Sequence, residues 1–169
     1  IESPDESESF SSNVNHTDGV YLIPAFTGLG PPYWTSSDRA AFLGINASTT
    51  KDHIVRAALE SVVFQMIVYI ESIQKDYDLS LQDLVVDGGM IKNKLFLQLI
   101  SNLLNIQIKI PQLEDMSLYG ALLFGIQKDH KIVNLSELNK FSISFEVIQP
   151  KSDNQIRSYF KNWKKLIDK

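Results

Sequence analysis

Two glycines at the end of a short apolar run are the residues best suited to chemistry in this sequence. Gly88 and Gly89 follow the strand-like run 84–87, and residues 92–104 carry the leucine spacing of a helix. Glycine in such a turn leaves no side chain in the path of a ligand. Unpaired amides at the start of the next helix suit a phosphate, and Asn93 offers a donor and an acceptor for a ribose or a base. Taken alone, a Gly-Gly turn is more often plain connection chemistry.

Asp87, directly before the two glycines, has two possible roles. Its carboxylate could order a metal-bound water beside phosphate groups, or it could brace the turn by accepting a backbone hydrogen bond. The second role is favoured, because short acidic side chains commonly bond to the backbone of their own turn.

The loop 24–34 is the second unusual segment, because it combines prolines and glycines with two large aromatic side chains. Its composition predicts a rigid loop. Physical chemistry alone favours a loop packed on its own domain, with Tyr33 and Trp34 as anchors.

Composition excludes several classes of function. The chain has no cysteine, which removes disulfides, thiolate metal sites and a cysteine nucleophile. The 20 acidic residues outnumber the 16 Lys and Arg, and a net charge of −4 argues against a nucleic-acid partner. Metal-ligand spacing is absent from the sequence, and most aspartates are interpreted as solvated surface charges. His53 near a helix start is expected to cap or pack rather than to catalyse.

The elements that must position these residues alternate between strands and helices. Residues 1–18 lack the apolar content for a core and are expected to form a mobile acidic and serine-rich leader. The alternation indicates an α/β layered domain with a largely parallel or mixed sheet. The expected strands are 20–26, 40–45, 84–86 and 106–110, and the expected helices are 48–77, 92–104, 117–127 and 154–168.

The long helix is apolar on nearly every face between residues 54 and 70. Arg56, Glu60 and Gln65 interrupt a run that is already short for a bilayer. A helix buried between a sheet and another element is therefore favoured over a membrane span.

Several of these blocks, in order, resemble the carboxy-terminal part of glycerol kinases in the FGGY carbohydrate kinase family. Residues 19–34 are similar to one family segment, and 53–61 to its long helix. The run 86–89 followed by Asn93 resembles the family's adenosine motif. Ser117-Leu118 and Gly120-Ala121 resemble the small-residue helix after it, and residues 48–51 and 115–117 lean toward an atypical animal glycerol-kinase-like branch.

The resemblance implies a partial actin-like, ribonuclease-H-like ATPase domain over residues 19–169. It also implies transfer of a phosphoryl group from ATP, with Mg²⁺, to glycerol or a similar polyol in the cytoplasm, with ADP as product. Gly88, Gly89 and Asn93 match the nucleotide-binding positions. No catalytic residue is carried over, because the family's catalytic amino-terminal lobe lies upstream, and the chain alone is expected to be inactive.

Departures from the family pattern keep alternatives open. The usual Trp-Asp-Pro is Trp34-Thr35-Ser36 here, a position that is often basic is Ile110, and Tyr119 enters a run of small residues. A nucleotide-binding pseudokinase and a non-catalytic interaction module of the same family therefore remain alternatives, and a homo-oligomer stays open.

Overall fold

The computed structural model describes residues 6–113, 115–129 and 143–168. Helices and strands alternate through most of this range, as the sequence predicts. The helices are α1 (Glu6–Ser12), α2 (Lys51–Asp76), α3 (Lys94–Leu104), α4 (Met116–Asp129) and α5 (Asn154–Ile167). The strands are β1 (Tyr21–Ile23), β2 (Ala41–Leu43), β3 (Asp83–Val85), β4 (Gln107–Pro111) and β5 (Phe145–Ile148).

The strands form two sheets in the described part of the chain. Strands β1 and β2 pair antiparallel, whereas β3, β4 and β5 form a second sheet in that order. In the second sheet β3 runs parallel to β4 and β4 runs antiparallel to β5. This arrangement confirms the expected α/β class with a mixed sheet. Strand β5 was not predicted, because three of its four residues are exposed and it lacks an apolar face.

One tryptophan of helix α5 packs in the core of the molecule. Trp163 is fully buried, and its indole Nε1 donates to the carbonyl of Leu22 in β1 at 2.8 Å. Its ring also lies 5.5 Å from that of Phe64 in α2, centroid to centroid. These contacts join α5, β1 and α2 around one core.

Helix α2 is a core helix. By length and composition it could cross a membrane, but 56% of its most apolar window is buried inside the protein. Arg56 and Glu60 are buried within it and form an ion pair at 2.6 Å, which suits a packed interior and not lipid. His53 Nδ1 accepts from the amide of Thr50 at 3.2 Å and so caps the helix, as expected.

Residues 6–18 differ from the expected mobile leader. They contain α1, and both Ser11 and Thr17 are buried. The guanidinium of Arg56 donates to the carbonyl of Ser11 at 3.1 Å and to that of Val14 at 3.3 Å. Hydrogen bonds to a buried cation order this segment, and an estimate based on apolar content could not detect them. Residues 1–5 lie outside the described range.

Candidate functional site

The glycine bend begins where β3 leaves the sheet. The amide of Val86 still donates to the carbonyl of Lys109 in β4, at 3.0 Å. Gly88 then adopts a φ of +104°, a conformation that side chains on L-residues disfavour. Its amide donates to Asp87 Oδ1 at 2.7 Å, which confirms the bracing role of Asp87. A short 3₁₀ turn, Gly89–Lys92, replaces the expected first turn of α3.

The bend is open on its outer side. A methyl group placed on Gly88 or Gly89 would meet no heavy atom within 4 Å. The space there belongs to an open pocket of about 590 Å³, a size typical of small-molecule sites. Its lining consists of residues 87–89 with Ile91, Lys92, Leu113 and Asp115.

Asn93 lies behind this pocket and does not line it. The residue is 7% exposed, and its Oδ1 accepts from the amide of Phe96 at 2.8 Å, so that it caps α3. Its Nδ2 donates to Ser7 Oγ at 3.4 Å. The structure therefore brings Gly88 and Gly89 together at the pocket and gives Asn93 a structural role in the next helix.

The amino-terminal end of α3 is not a free phosphate site, contrary to the sequence-based expectation. The amide of Lys94 donates to Glu8 Oε1 at 3.0 Å, and the amide of Phe96 donates to Asn93. A carboxylate already occupies the positive end of the helix and would repel a phosphate. Composition does not indicate this contact of Glu8, because residues 1–18 have too little apolar content to predict an ordered segment. The glycine bend itself is left as the ligand-facing backbone.

Tyr33 and Trp34, at the end of the loop 24–34, have different environments. Tyr33 packs against the core, and burial, with Asp168 nearby, raises the pKa of its hydroxyl to about 12. Trp34 is 77% exposed and has a φ of +48°. The prediction of an aromatic anchor is confirmed for Tyr33 and wrong for Trp34.

Metal ligands do not gather in the part of the chain that the structure describes. No group of three or more His, Asp or Glu side chains there could hold a metal ion. The lining of the bend offers backbone groups, one lysine and two carboxylates as polar partners for a ligand.

A mixed sheet with an open glycine bend after a parallel strand is the layout of an α/β domain that takes ligands at the carboxyl end of its strands. Residues 3–127 match the FGGY family of carbohydrate kinases, C-terminal domain, and the chain belongs to that family. The fold is accordingly the actin-like ATPase fold of these kinases.

Glycerol kinases are among the relatives that this chain resembles. The chain is 38% identical to glycerol kinase of Oceanobacillus iheyensis over 99% of its own length and 34% of that protein. It is 34% identical to glycerol kinase of Francisella tularensis, of which it also covers 34%. The chain thus spans about a third of the length of these relatives. These relatives do not test the resemblance to an atypical animal glycerol-kinase-like branch, which stays a prediction.

Solved structures of two kinases share the fold of this chain. The chain superimposes on Plasmodium falciparum glycerol kinase with ADP at a TM-score of 0.88 and 30% identity, over 99% of this chain and 34% of that one. Xylulose kinase from Lactobacillus acidophilus gives a TM-score of 0.84 at 19% identity, over 99% of this chain and 34% of that one. The second likeness shows the fold alone.

Proposed function

We propose that the protein carrying this chain transfers the γ-phosphoryl group of ATP to a hydroxyl of glycerol or a similar polyol, in the cytoplasm. Membership of a carbohydrate kinase family and glycerol kinase relatives at 34–38% identity support this proposal. In it, this chain supplies the adenosine side of the nucleotide site. The Plasmodium glycerol kinase structure with ADP supports the choice of nucleotide.

The observation that carries the proposal is the open bend at Gly88 and Gly89. Both residues are exposed, and no side chain obstructs the approach of a ligand to their backbone. Ile91 and Leu113 provide apolar surface in the same lining, which suits the face of an adenine base. These features support the proposal that the bend receives the adenosine.

The charges of the pocket favour the nucleoside over the phosphates. Asp87 and Asp115 bring two carboxylates to the lining, against the single ammonium group of Lys92. Carboxylates accept hydrogen bonds from ribose hydroxyls and repel phosphate oxygens. We propose that the phosphates extend out of this pocket toward the part of the protein that lies outside this chain.

Phosphoryl transfer depends on positioning, charge neutralisation and a base near the attacking hydroxyl. The described residues provide no metal cluster, so we propose that Mg²⁺ is held by the phosphates and by groups outside this chain. The catalytic base is assigned to the same outside region, and the isolated chain is proposed to be inactive. Asn93 is proposed to support the nucleotide site from behind, as the cap of α3.

Two of the three family departures, at Thr35 and Ile110, lie outside the lining of the bend. Thr35 Oγ1 donates to Asp38 Oδ2 within its own loop, and Ile110 is buried in β4. Neither side chain lines the pocket at Gly88 and Gly89. These contacts supply no reason to prefer a pseudokinase.

Gly89→Val tests the proposed site. A Cβ atom at Gly89 would meet no protein atom within 4 Å and the residue has no positive φ, so the fold should tolerate a side chain there. Valine would instead fill the space that the nucleotide needs. We expect ATP affinity to fall at least about tenfold, roughly 1.4 kcal/mol, with an unchanged thermal midpoint.

Gly30→Val is the matched control, because Gly30 also has open space and no positive φ but lies in another loop. Binding should be measured by calorimetry on the natural protein that carries this chain. Unchanged ATP affinity in Gly89→Val would reject the site, and equal losses in both variants would point to a general effect on folding.

A further inference from the structure

Helix α1 lies against the segment that connects the bend to α3. Glu8 Oε1 accepts a hydrogen bond from the amide of Lys94 at 3.0 Å, across 86 positions of sequence. One residue earlier, Ser7 Oγ accepts from Asn93 Nδ2 at 3.4 Å. Two consecutive side chains of α1 thus contact two consecutive residues that directly follow the 3₁₀ turn Gly89–Lys92.

Helix α1 is itself fixed to the core by Arg56. The guanidinium donates to the carbonyls of Ser11 and Val14 at the end of α1 and just after it, at 3.1 and 3.3 Å. Ser11 Oγ also donates to the carbonyl of Ser7 at 2.6 Å, which links the anchored end of α1 to the end that contacts Asn93. Glu60 holds Arg56 in place at 2.6 Å.

The hydrogen bond from the Lys94 amide to Glu8 stabilises the start of α3. The first amides of a helix lack partners within the helix, and a carboxylate there satisfies one of them and complements the helix dipole. Lys94 is the first residue of α3, and the 3₁₀ turn ends two positions before it at Lys92. Holding this amide therefore also holds the far end of the glycine bend.

An open backbone bend binds a ligand well only when its shape is already set. Freedom in the bend would have to be lost on binding, and that loss reduces affinity. Gly88 and Gly89 have the least restricted backbone of any residue type, so the shape of the bend must come from its surroundings. At the start of the bend, Asp87 Oδ1 accepts from the amide of Gly88 at 2.7 Å. Just beyond its end, Glu8 of α1 accepts from the amide of Lys94.

We infer that Glu8 and Ser7 are positioning residues for the nucleotide-binding bend, with Arg56 as the anchor of the helix that carries them. This inference rests on the proposed function, because it assumes that the bend binds adenosine. Neither side chain lines the pocket, so both act through the start of α3. The segment at residues 6–12 is on this view part of the nucleotide site and not a spacer ahead of it.

Glu8→Ala and Glu8→Gln separate positioning from simple structural support. Alanine removes the acceptor for the Lys94 amide, whereas glutamine keeps an oxygen at the same place without the charge. We expect ADP affinity to fall about fivefold in Glu8→Ala, the equivalent of one hydrogen bond, and to return to within about twofold of the natural protein in Glu8→Gln. The KM for the polyol should stay unchanged.

Ser9→Ala is the control on the same helix, because Ser9 is exposed and should leave ADP affinity unchanged. ADP binding is measured by calorimetry on the natural protein that carries this chain, and amide hydrogen exchange of segment 87–97 is followed in parallel. Faster exchange of this segment in Glu8→Ala than in Glu8→Gln would support the inference without any ligand.

The outcomes are distinct. A lower thermal midpoint in Glu8→Ala with unchanged ADP affinity would overturn the positioning role and leave the proposed function intact. If the natural protein binds no ADP, the proposed function falls and the inference falls with it. Weaker ADP binding in Glu8→Ala that glutamine restores supports both.

Discussion

A charged side chain is tolerated in a protein interior when all its hydrogen-bonding groups find partners. Arg56 approaches this condition, because it donates to Glu60 and to the carbonyls of Ser11 and Val14. Burial raises the pKa of Glu60, while the guanidinium of Arg56 acts in the opposite direction and lowers it. The pair is thus coupled, and the ionised form of Glu60 depends on its neighbour.

Arg56→Met tests whether the ionised form of Glu60 depends on Arg56. Removing one partner of a buried ion pair costs about 3 kcal/mol or more in the free energy of unfolding. Without the guanidinium the pKa of Glu60 rises further, so a neutral Glu60 is favoured in the folded state. A raised folded pKa gives stability that is present at low pH and is lost as pH rises through that pKa. We therefore expect a larger loss of stability near pH 8 than near pH 5, measured by denaturant unfolding.

The double variant Arg56→Met, Glu60→Leu is the control for this experiment. It replaces the ion pair with apolar side chains and leaves no buried carboxylate to ionise. Its loss of stability should be smaller than that of Arg56→Met and should not depend on pH between these two values. A pH-independent loss in the single variant would contradict the assigned coupling.

At the scale of one element, the cap of α3 decides what Asn93 does. Its side-chain oxygen accepts from the amide of Phe96, and the residue is 7% exposed. Serine can cap a helix about as well as asparagine, whereas alanine cannot. We expect Asn93→Ser to keep the free energy of unfolding, and to keep ATP affinity within about twofold, because Glu8 still holds the Lys94 amide when the 3.4 Å contact of Asn93 Nδ2 with Ser7 is lost. Asn93→Ala should lose about 1 kcal/mol of stability.

The same pair of variants tests direct contact with the nucleotide. If the amide group of Asn93 touches the base or the ribose, Asn93→Ser loses it and ATP affinity falls although the cap survives. Calorimetric binding and thermal unfolding, measured on both variants, distinguish the two roles. A large loss of affinity in Asn93→Ser would return this residue to the nucleotide-binding set.

Local sequence patterns predicted most elements of this chain, and their failures have a common cause. Periodicity and turn residues located α2, α3, α5 and β4 to within about three residues, because these elements carry their signals in their own side chains. Helix α1 and strand β5 were missed, because α1 is ordered by Arg56 from far along the chain and β5 by pairing with β4.

The same distinction between local signals and long-range contacts applies to the candidate site. Glycines before a predicted helix located the bend, because local chain conformation determines a turn. The contact of Glu8 with α3 could not be predicted, since it joins residues 86 positions apart. The capping role of Asn93 is local, because its partner Phe96 lies three residues on, and an Asn directly before a helical run was a signal for it. The prediction that Trp34 anchors its loop also failed. The residue type does not indicate its backbone conformation, which has a φ of +48°.

At the scale of the whole molecule, α4 stands out because its apolar side chains are exposed. None of its residues is buried, and Leu118, Leu122 and Phe124 are 68%, 57% and 74% exposed. Apolar side chains on one helix at this exposure normally have a partner surface. The chain spans about a third of its glycerol kinase relatives, and we propose that the remainder of the protein covers α4.

The isolated chain should therefore associate in solution. Exposed apolar surface favours contact between copies, so we expect concentration-dependent assembly by light scattering and strong binding of the dye anilinonaphthalene sulfonate. Phe124→Ser should reduce both, because it removes the most exposed of the three apolar side chains named on α4. Phe26→Ser is the matched control, since Phe26 is equally exposed, at 73%, but belongs to the loop 24–34 and not to the apolar side chains of α4, so it should change both measurements less. A monomeric preparation with a sharp, reversible thermal transition would show that α4 needs no partner.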